Sequence, residues 1–583
     1  MLGCSTIRPA THITSFSSFS ILLTAELKQT ISRSRDNSPV NLIFLGWITQ
    51  LKTIMACKDT SSKIQDTIAI STRINQGPPA RYQLVTKKQN LDDEVLLRRW
   101  TFGERDPTKV NKTILIVGET GTGKSTLING MVNHVLGVEW EDKVWFEIIE
   151  VKGSQSESQT TAITIYEVFG CEGLRVPYSL TIIDTPGYGD TRGIQEDQLI
   201  AGKLLELFRS TNGIHQLDAV GLVVKATENR LNDRQKYIFD AVLSLFGKDM
   251  EKNIVALITH SLGRPPKNAL EAITRANVPC AKNDRNQPVH FVFNNCQCEV
   301  FDKDDEDYEE YVSSQKTSWD KGAKSMDKFF NYKMEPKSVK MTEGVLRERK
   351  QLEACVSNIR ERIHLIDLKQ DEIKQTQEAL NEHKKDMEEN KNFTYTVKEP
   401  YKEKVPTKEG NAITCSVCEE NCHYPGCWWV SNLSWCSAMK KNHCTVCTGK
   451  CHYTDHVKEY KMYVRKTRQV TRTYEELKKK YEIVEQEKGN VIIRLQAELE
   501  QFTLQKATLV EESYQHLINL DEIALKSLSL STTQHLGFLI DKMKETGDTK
   551  KVQKLEEMKK RPEEHKLSLD YLSKMWNNFH VKK

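Results

Sequence analysis

Gly118, Gly123, Lys124 and Ser125 stand in the stretch IVGETGTGKSTLING (residues 116–130) at the spacing G-x-x-x-x-G-K-[ST]. Glycines at those places let backbone N–H groups curl around a β-phosphate, and a helix N-terminus adds its positive end. The ammonium of Lys124 would neutralise β- and γ-phosphates during phosphoryl transfer, and the Ser125 hydroxyl would hold magnesium. Gly121 and Thr126 belong to the same loop and helix start. Downstream, YSLTIIDTPGYGDTRG (178–193) sets Asp184 at a strand end, where a carboxylate can hold magnesium through water. Gly187 follows in a D-T-P-G turn and can offer its N–H to a γ-phosphate.

A second group of reactive side chains lies far along the chain. Eight of the fifteen cysteines fall between Cys415 and Cys451. TCSVCEENCHYP (414–425) and HCTVCTGKCHYT (443–454) share C-x-V-C-x-x-x-C-H-Y, so Cys415, Cys418, Cys422 and His423 match Cys444, Cys447, Cys451 and His452. A C-x-x-C loop brings two thiolates to one tetrahedral ion, and two such loops complete its shell. Cys415, Cys418, Cys444 and Cys447 are therefore expected around one zinc. A second zinc would draw on Cys422, Cys451, His423, His452 or His456, with Cys427 and Cys436 as further candidates; Cys422, Cys451 and His452 are the set chosen. Interleaved histidines favour zinc over an iron–sulfur cluster, and a saturated shell marks a structural site. A redox C-x-x-C needs a thioredoxin-like βαβ setting, which the sequence around it lacks.

The elements that must position these groups follow from the pattern. KTILIVG reads as a buried strand entering the P-loop, and SLTIID, HQLDAVGLVVKAT, IVALIT and HFVFNN supply further strands. With GxxxxGKS followed by DTPGYGD, about 200 residues resemble the septin and immune-associated nucleotide-binding branch of the Ras-like GTPases. The resemblance implies an α/β P-loop NTPase fold at 105–300, GTP or GDP as ligand and magnesium as cofactor. It places the switch I magnesium contact at Thr160 in ESQTTAITIYEV, with Thr161 the competitor, and base contacts at Thr259, His260, Asn294 and Asn295. Where the branch keeps [NT]-K-x-D, this chain has Thr259, His260, Ser261 and Leu262. Leu262 cannot accept the two guanine hydrogen bonds of the missing Asp, a loss of about 3 kcal/mol or roughly a hundredfold in affinity. Tyr188 stands where Ras-type proteins put a water-orienting Gln. The branch often completes its site by pairing two G domains, which implies a homodimer with slow, assembly-dependent hydrolysis. The alternative is a pseudo-GTPase that binds nucleotide without cycling.

Beyond a linker at 301–344, Val345, Leu352, Ile359, Ile366, Ile373, Leu380 and Met387 recur every seven residues. Six heptads predict a helix about 65 Å long. A second stripe, Tyr474 to Leu509, follows the cysteines. Arms at 345–390 and 473–520 predict an antiparallel coiled coil with a β-flanked zinc module (391–472) at its tip and a helical tail from 521; parallel pairing of each arm with a second chain is the alternative. Such an arm would present the module to a protein partner.

Composition narrows the classes. A content of 38 % hydrophobic and 28 % charged residues suits long solvated helices, and a net charge of +4 argues for neither nucleic acid nor membrane surface. No apolar run reaches the length of a membrane span. Residues 1–104 read as a loosely structured extension. Its acid-poor first 54 residues suit either a transit peptide or an extension ahead of a start at Met55. Clustered reduced cysteines beside a P-loop predict a cytoplasmic protein.

Overall fold

The computed structural model describes residues 64–560, apart from 78, 92–96, 151–161, 170–175, 177, 187–193, 229–238, 240–241, 262–263, 295, 297–298, 300–306, 390, 409, 428–429, 431, 481–489 and 527–529. Thr160, Thr161, Gly187, Tyr188, Leu262 and Asn295, the residues before Met55 and those after 560 lie outside the described residues. The chain divides into two units, residues 1–66 and 67–583. The nucleotide domain, the long helices and the cysteine module all belong to the second.

Eight strands make the main sheet: β1 (Lys87–Asn90), β2 (Leu97–Phe102), β3 (Asn111–Gly118), β4 (Ile163–Val168), β5 (Ser179–Asp184), β6 (Ala219–Lys225), β7 (Ile254–Thr259) and β8 (His290–Val292). Their order is β8-β7-β6-β3-β5-β4-β2-β1. Strands β8, β7, β6, β3 and β5 run parallel, while β4 is antiparallel to β5. β5, β6 and β7 are nearly unbroken apolar runs, buried almost throughout, as a sheet covered on both faces requires. The chain leaves β3 with neighbours from later sequence on both sides, so a crevice opens beyond its carboxyl end. That crevice is where the P-loop sits.

Two boundaries differ from expectation. Residues 67–104 are not a loose extension: β2 pairs with β4 and β1 with β2, and Trp100 and Phe102 are buried. In LRRWTF two arginines separate the apolar residues, which hides the strand's inward face from a pattern search. The acidic segment read as a linker contains a 24-residue helix, Tyr308–Asn331. Its Trp319 meets the edges of Trp140 and Trp145, its Phe329 the edge of Phe291, and its Phe330 stacks on His134. Aromatic anchors at widely spaced positions hold it against the domain.

The long helix Lys340–Glu382 follows, with Val345, Leu352, Val356, Ile359, Ile363, Ile366, Ile373 and Leu380 buried. Its partner, Asn490–Ile523, runs antiparallel within the same chain. Gln370 faces Thr503 at 3.4 Å, Asp367 pairs with Lys506 at 2.7 Å, and Glu348 and Cys355 both reach His516. Helices Leu530–Thr546 and Thr549–Lys560 thicken the base of this pair, burying Leu536, Leu539, Ile540, Leu555 and Met558. Among the described residues no helix is long and apolar enough to cross a membrane.

The cysteine module is not at the tip. Phe393 and Tyr474 stack there at 5.0 Å, and from them Thr394–Pro406 pairs with Lys461–Thr473 over thirteen residues without a break. A ribbon that long spans about 43 Å, enough to return along most of the helix. It does return: Lys398 N–H donates to Gln375, and further back Arg465 pairs with Glu361 at 2.7 Å. Asn358 then donates to Glu420, and Arg209 of the nucleotide domain donates to the Trp435 carbonyl at 3.0 Å. The module is folded back against the base. Sequence symmetry of the arms gave no sign of this, because the ribbon's direction is set by cross-contacts and not by its own pattern.

Candidate nucleotide and metal sites

β3 ends at Gly118, where a Cβ would lie 2.7 Å from the Val223 carbonyl, so only glycine lets the loop leave beside β6. Gly123 caps the helix Lys124–Leu136 at φ +83°, with no side chain over the first N–H groups. Those donors are left for an anion. Lys124 is buried, and its ammonium donates to the Gly118 and Glu119 carbonyls at 3.0 and 3.1 Å. Burial lowers its pKa, while Asp184 and Glu119 act in the opposite sense. Asp184, wholly buried at the end of β5, thus faces the loop that carries Lys124 and Ser125.

β7 reaches the same place. The Thr259 hydroxyl donates to the Thr122 carbonyl at 2.6 Å, tying the base-reading end of the sheet to the P-loop. His260 follows at φ +51°, its Nε2 3.5 Å from where a Cβ of Gly123 would be. Burial depresses its pKa, helped by Lys225, so a neutral imidazole borders the loop. Asn294 is drawn aside: its amide donates to Ser318 on the helix Tyr308–Asn331 at 3.3 Å. Gly118, Gly121, Gly123, Lys124, Ser125, Thr126, Asp184, Thr259 and His260 therefore share one crevice. The Thr122–Thr259 tie escaped sequence reading, since no motif marks it.

Residues 108–199 match the family model described as septin. Over those residues the α/β domain is similar to a septin-type GTPase domain. Among curated proteins, the translocase of chloroplast 33 of Arabidopsis thaliana is 22% identical over 166 residues, which are 28% of this chain and 48% of that protein. The translocase of chloroplast 34 of Pisum sativum is 22% identical over 207 residues, 33% of this chain and 59% of that protein. The chain spans about half the length of these curated relatives. A solved structure of Toc33 from Arabidopsis thaliana with GDP and magnesium is similar at 18% identity, covering 39% of this chain and 86% of that one, with a TM-score of 0.26. The septin-type match ends before β6, and nothing in it touches the cysteine module.

That module brings its cysteines and histidines together in three groups that could hold metal ions, each with its donor atoms within 4.8 Å of one another: Cys415, Cys418, Cys447 and Cys451; Cys422, Cys444, Cys447 and His456; His423, Cys427 and Cys436. Tetrahedral zinc, with Zn–S of about 2.3 Å and Zn–N of about 2.0 Å, sets S···S edges near 3.8 Å and S···N edges near 3.5 Å. The observed edges fit: Cys418 to Cys451 is 3.6 Å, Cys427 to Cys436 is 3.7 Å, and His423 lies 3.3 Å from both Cys427 and Cys436. All of these cysteines are free thiols. Burial pushes the Cys415 thiol up to about 11, while hydrogen bonds from Cys422 and Cys444 hold Cys447 far below the usual thiol range. Packed thiols of this kind share protons unless a cation takes their place.

Two expectations need correction. Cys444 does not join Cys415 and Cys418; Cys451 does, and Cys444 sits with Cys422. His452 is half-buried, its Nδ1 2.8 Å from the Thr454 hydroxyl and its ring against Tyr453, and stands in none of the three groups. A helical turn, Tyr453–Asp455, carries the chain past it and brings His456 in instead. The His456 Nδ1 lies 2.9 Å from the His452 carbonyl, which leaves Nε2 aimed at Cys447, 3.8 Å away. Metal-bound histidines are oriented by such outer contacts.

Proposed function

We propose that this protein is a guanine-nucleotide switch whose septin-type domain binds GTP or GDP with magnesium and hydrolyses slowly, in pairs. The observation that carries the reading is the shared crevice: an intact phosphate loop with Lys124 and Ser125, a buried Asp184, and Thr259 tied to the loop through Thr122. Lys124 would leave the Gly118 and Glu119 carbonyls for the phosphates, and Ser125 with Asp184 would hold magnesium. Thr160, Gly187 and the Asn294–Asn295 loop would complete the γ-phosphate and base contacts. In this reading the cysteine module is a structural zinc module, its ions held by the three groups above.

The module's role changes with its place. It does not project; it lies against the base of the long helix and touches Arg209, the last residue of helix Ile194–Arg209, which follows the D-T-P-G turn. Arg209 also lies 3.5 Å from Glu343 of the long helix. A nucleotide-dependent shift of that helix would reach the module and whatever protein partner docks there. A reduced, cytoplasmic setting suits its thiols.

Equilibrium binding of GTP, ATP and XTP to the full chain with magnesium tests the base preference, with Leu262→Asp alongside. A tenfold or larger preference for GTP in the native sequence supports the switch. Equal binding of all bases, with GTP selected only in Leu262→Asp, supports the second reading, a non-cycling scaffold, which the leucine itself favours. Zinc content of the purified chain, measured by elemental analysis, tests the metal reading.

A further inference from the structure

We infer that Cys447 is a bridging thiolate shared by two zinc ions, in a dinuclear site built by exchange of ligands between the two halves of the internal repeat. The inference rests on the zinc reading above and adds to it the connectivity.

The first two groups contain seven different side chains, because Cys447 belongs to both. Two tetrahedral ions have eight positions to fill. Seven ligands fill eight positions only when one of them is shared, and a thiolate sulfur has lone pairs for two metals. Cys447 is the residue whose sulfur lies within reach of both sets.

The repeat explains the rest of the arrangement. Each C-x-x-C turn takes its third cysteine from the other half: Cys415 and Cys418 are completed by Cys451, and Cys444 and Cys447 by Cys422. Neither half closes a shell alone. The positions left after this exchange go to Cys447 on one side and to His456 on the other. The fourth repeat residues then diverge: His423 turns to Cys427 and Cys436, while His452 turns to the Thr454 hydroxyl and the Tyr453 ring.

The backbone is arranged for thiolates at each of these turns. Cys415 Sγ accepts the Cys418 N–H at 3.3 Å, and Cys444 Sγ accepts those of Val446 and Cys447 at 3.3 and 3.4 Å. Cys418 Sγ accepts the Gly449 N–H at 3.2 Å, and the bridging Cys447 Sγ accepts that of Cys451 at 3.4 Å. Such outer-shell bonds fix ligand orientation and spread the charge. A Cβ on Gly449 would lie 3.0 Å from Cys451 Sγ and 3.2 Å from Cys418 Sγ, so a side chain there would crowd these two sulfurs. Six thiolates and two dications leave a charge of about −2, one unit less negative than unshared sets of the same kind would carry. Lys402 stands close by, donating to the Cys418 carbonyl at 2.6 Å.

The third group, His423, Cys427 and Cys436, shares no side chain with the other two. It serves as an internal control, since an ion held there has no bridge.

The test is cadmium-113 NMR of the full chain after exchange of its zinc. Two resonances should each be split by the other through the shared sulfur, and any resonance from the third group should be a singlet. In Cys451→Ala one coupled resonance should disappear and its former partner collapse to a singlet. Unsplit resonances throughout, one ion for the seven ligands, or an unchanged doublet in Cys451→Ala would overturn the bridge. A chain that binds neither zinc nor cadmium fails the metal reading itself, whereas bound ions without splitting fail the bridge alone.

Discussion

The septin-type domain and the cysteine module reach their geometry by opposite routes. In the domain, most of the phosphate site is one continuous stretch at a strand–helix junction, and sequence order is spatial order. In the module, each C-x-x-C turn closes with a cysteine from the other half of a repeat, so spatial neighbours are far apart in sequence. A local site survives changes elsewhere in the chain. A site made by exchange exists only when both halves are folded together, and it then holds them together.

The strongest way to break the comparison is to remove the metal. Chelation should unfold residues 412–459, a loss on the order of 10 kcal/mol of binding free energy, read as a collapse of amide-exchange protection there. Protection of β3, β5 and β6 should remain. Uniform loss across both regions would mean that they fold as one unit.

Next in size is the joint between the nucleotide domain and the helical base on which the module rests. The Arg349 guanidinium is buried, donating to the Ser244 carbonyl at 2.8 Å, to the Thr532 hydroxyl at 3.0 Å and to the Lys526 carbonyl. Arg349→Ala leaves those acceptors unmatched and should cost about 3 kcal/mol, measured as a lower urea midpoint for the helical base.

His516 sharpens the comparison through pH. Cys355 and Glu348 hold its pKa up at about 10, against the opposing effect of burial, and His516 in turn holds Glu348 below the usual carboxylate range. The raised histidine contributes fully below its unfolded value of about 6.5 and loses that contribution as pH climbs toward 10. The lowered carboxylate contributes above its unfolded value of about 4.3 and loses it in acid. His516→Ala should therefore cost the most, about 2 kcal/mol, between those two values and progressively less toward pH 10. A cost that is flat with pH would exclude the ion pair as its source.

Smaller effects come from single ties. Thr259→Val removes the bond to Thr122 and should weaken nucleotide binding by about 1 kcal/mol, or roughly fivefold, with unchanged zinc content. Arg209→Ala, at a half-exposed contact, should cost about 0.5 kcal/mol yet raise exchange around Trp435.

What the sequence made legible follows the same division. Gly118 to Thr126 and Asp184 were legible because motif spacing reports local backbone geometry directly, whereas Thr259 and His260 came from the family resemblance. The seven-residue stripe from Val345 likewise marked a buried helix face. The repeat singled out most of the clustered cysteines, but their grouping was misread, since the matching C-x-x-C turns favour Cys415, Cys418, Cys444 and Cys447 together. The turn at Tyr453–Asp455 replaces His452 with His456. β2 was hidden by Arg98 and Arg99, half-buried between Leu97 and Trp100, and β1 by its wholly polar sequence KKQN. The return of the ribbon toward the base depends on Arg465, Asn358 and Arg209 meeting partners far along the chain.

The most direct measurement is a calorimetric titration of the full chain with GTP and magnesium, beside Lys124→Ala. Binding in the native chain that falls at least a hundredfold in Lys124→Ala, with zinc content equal in both, is the predicted result. Absence of binding in the native chain, or binding indifferent to Lys124, would contradict the nucleotide switch.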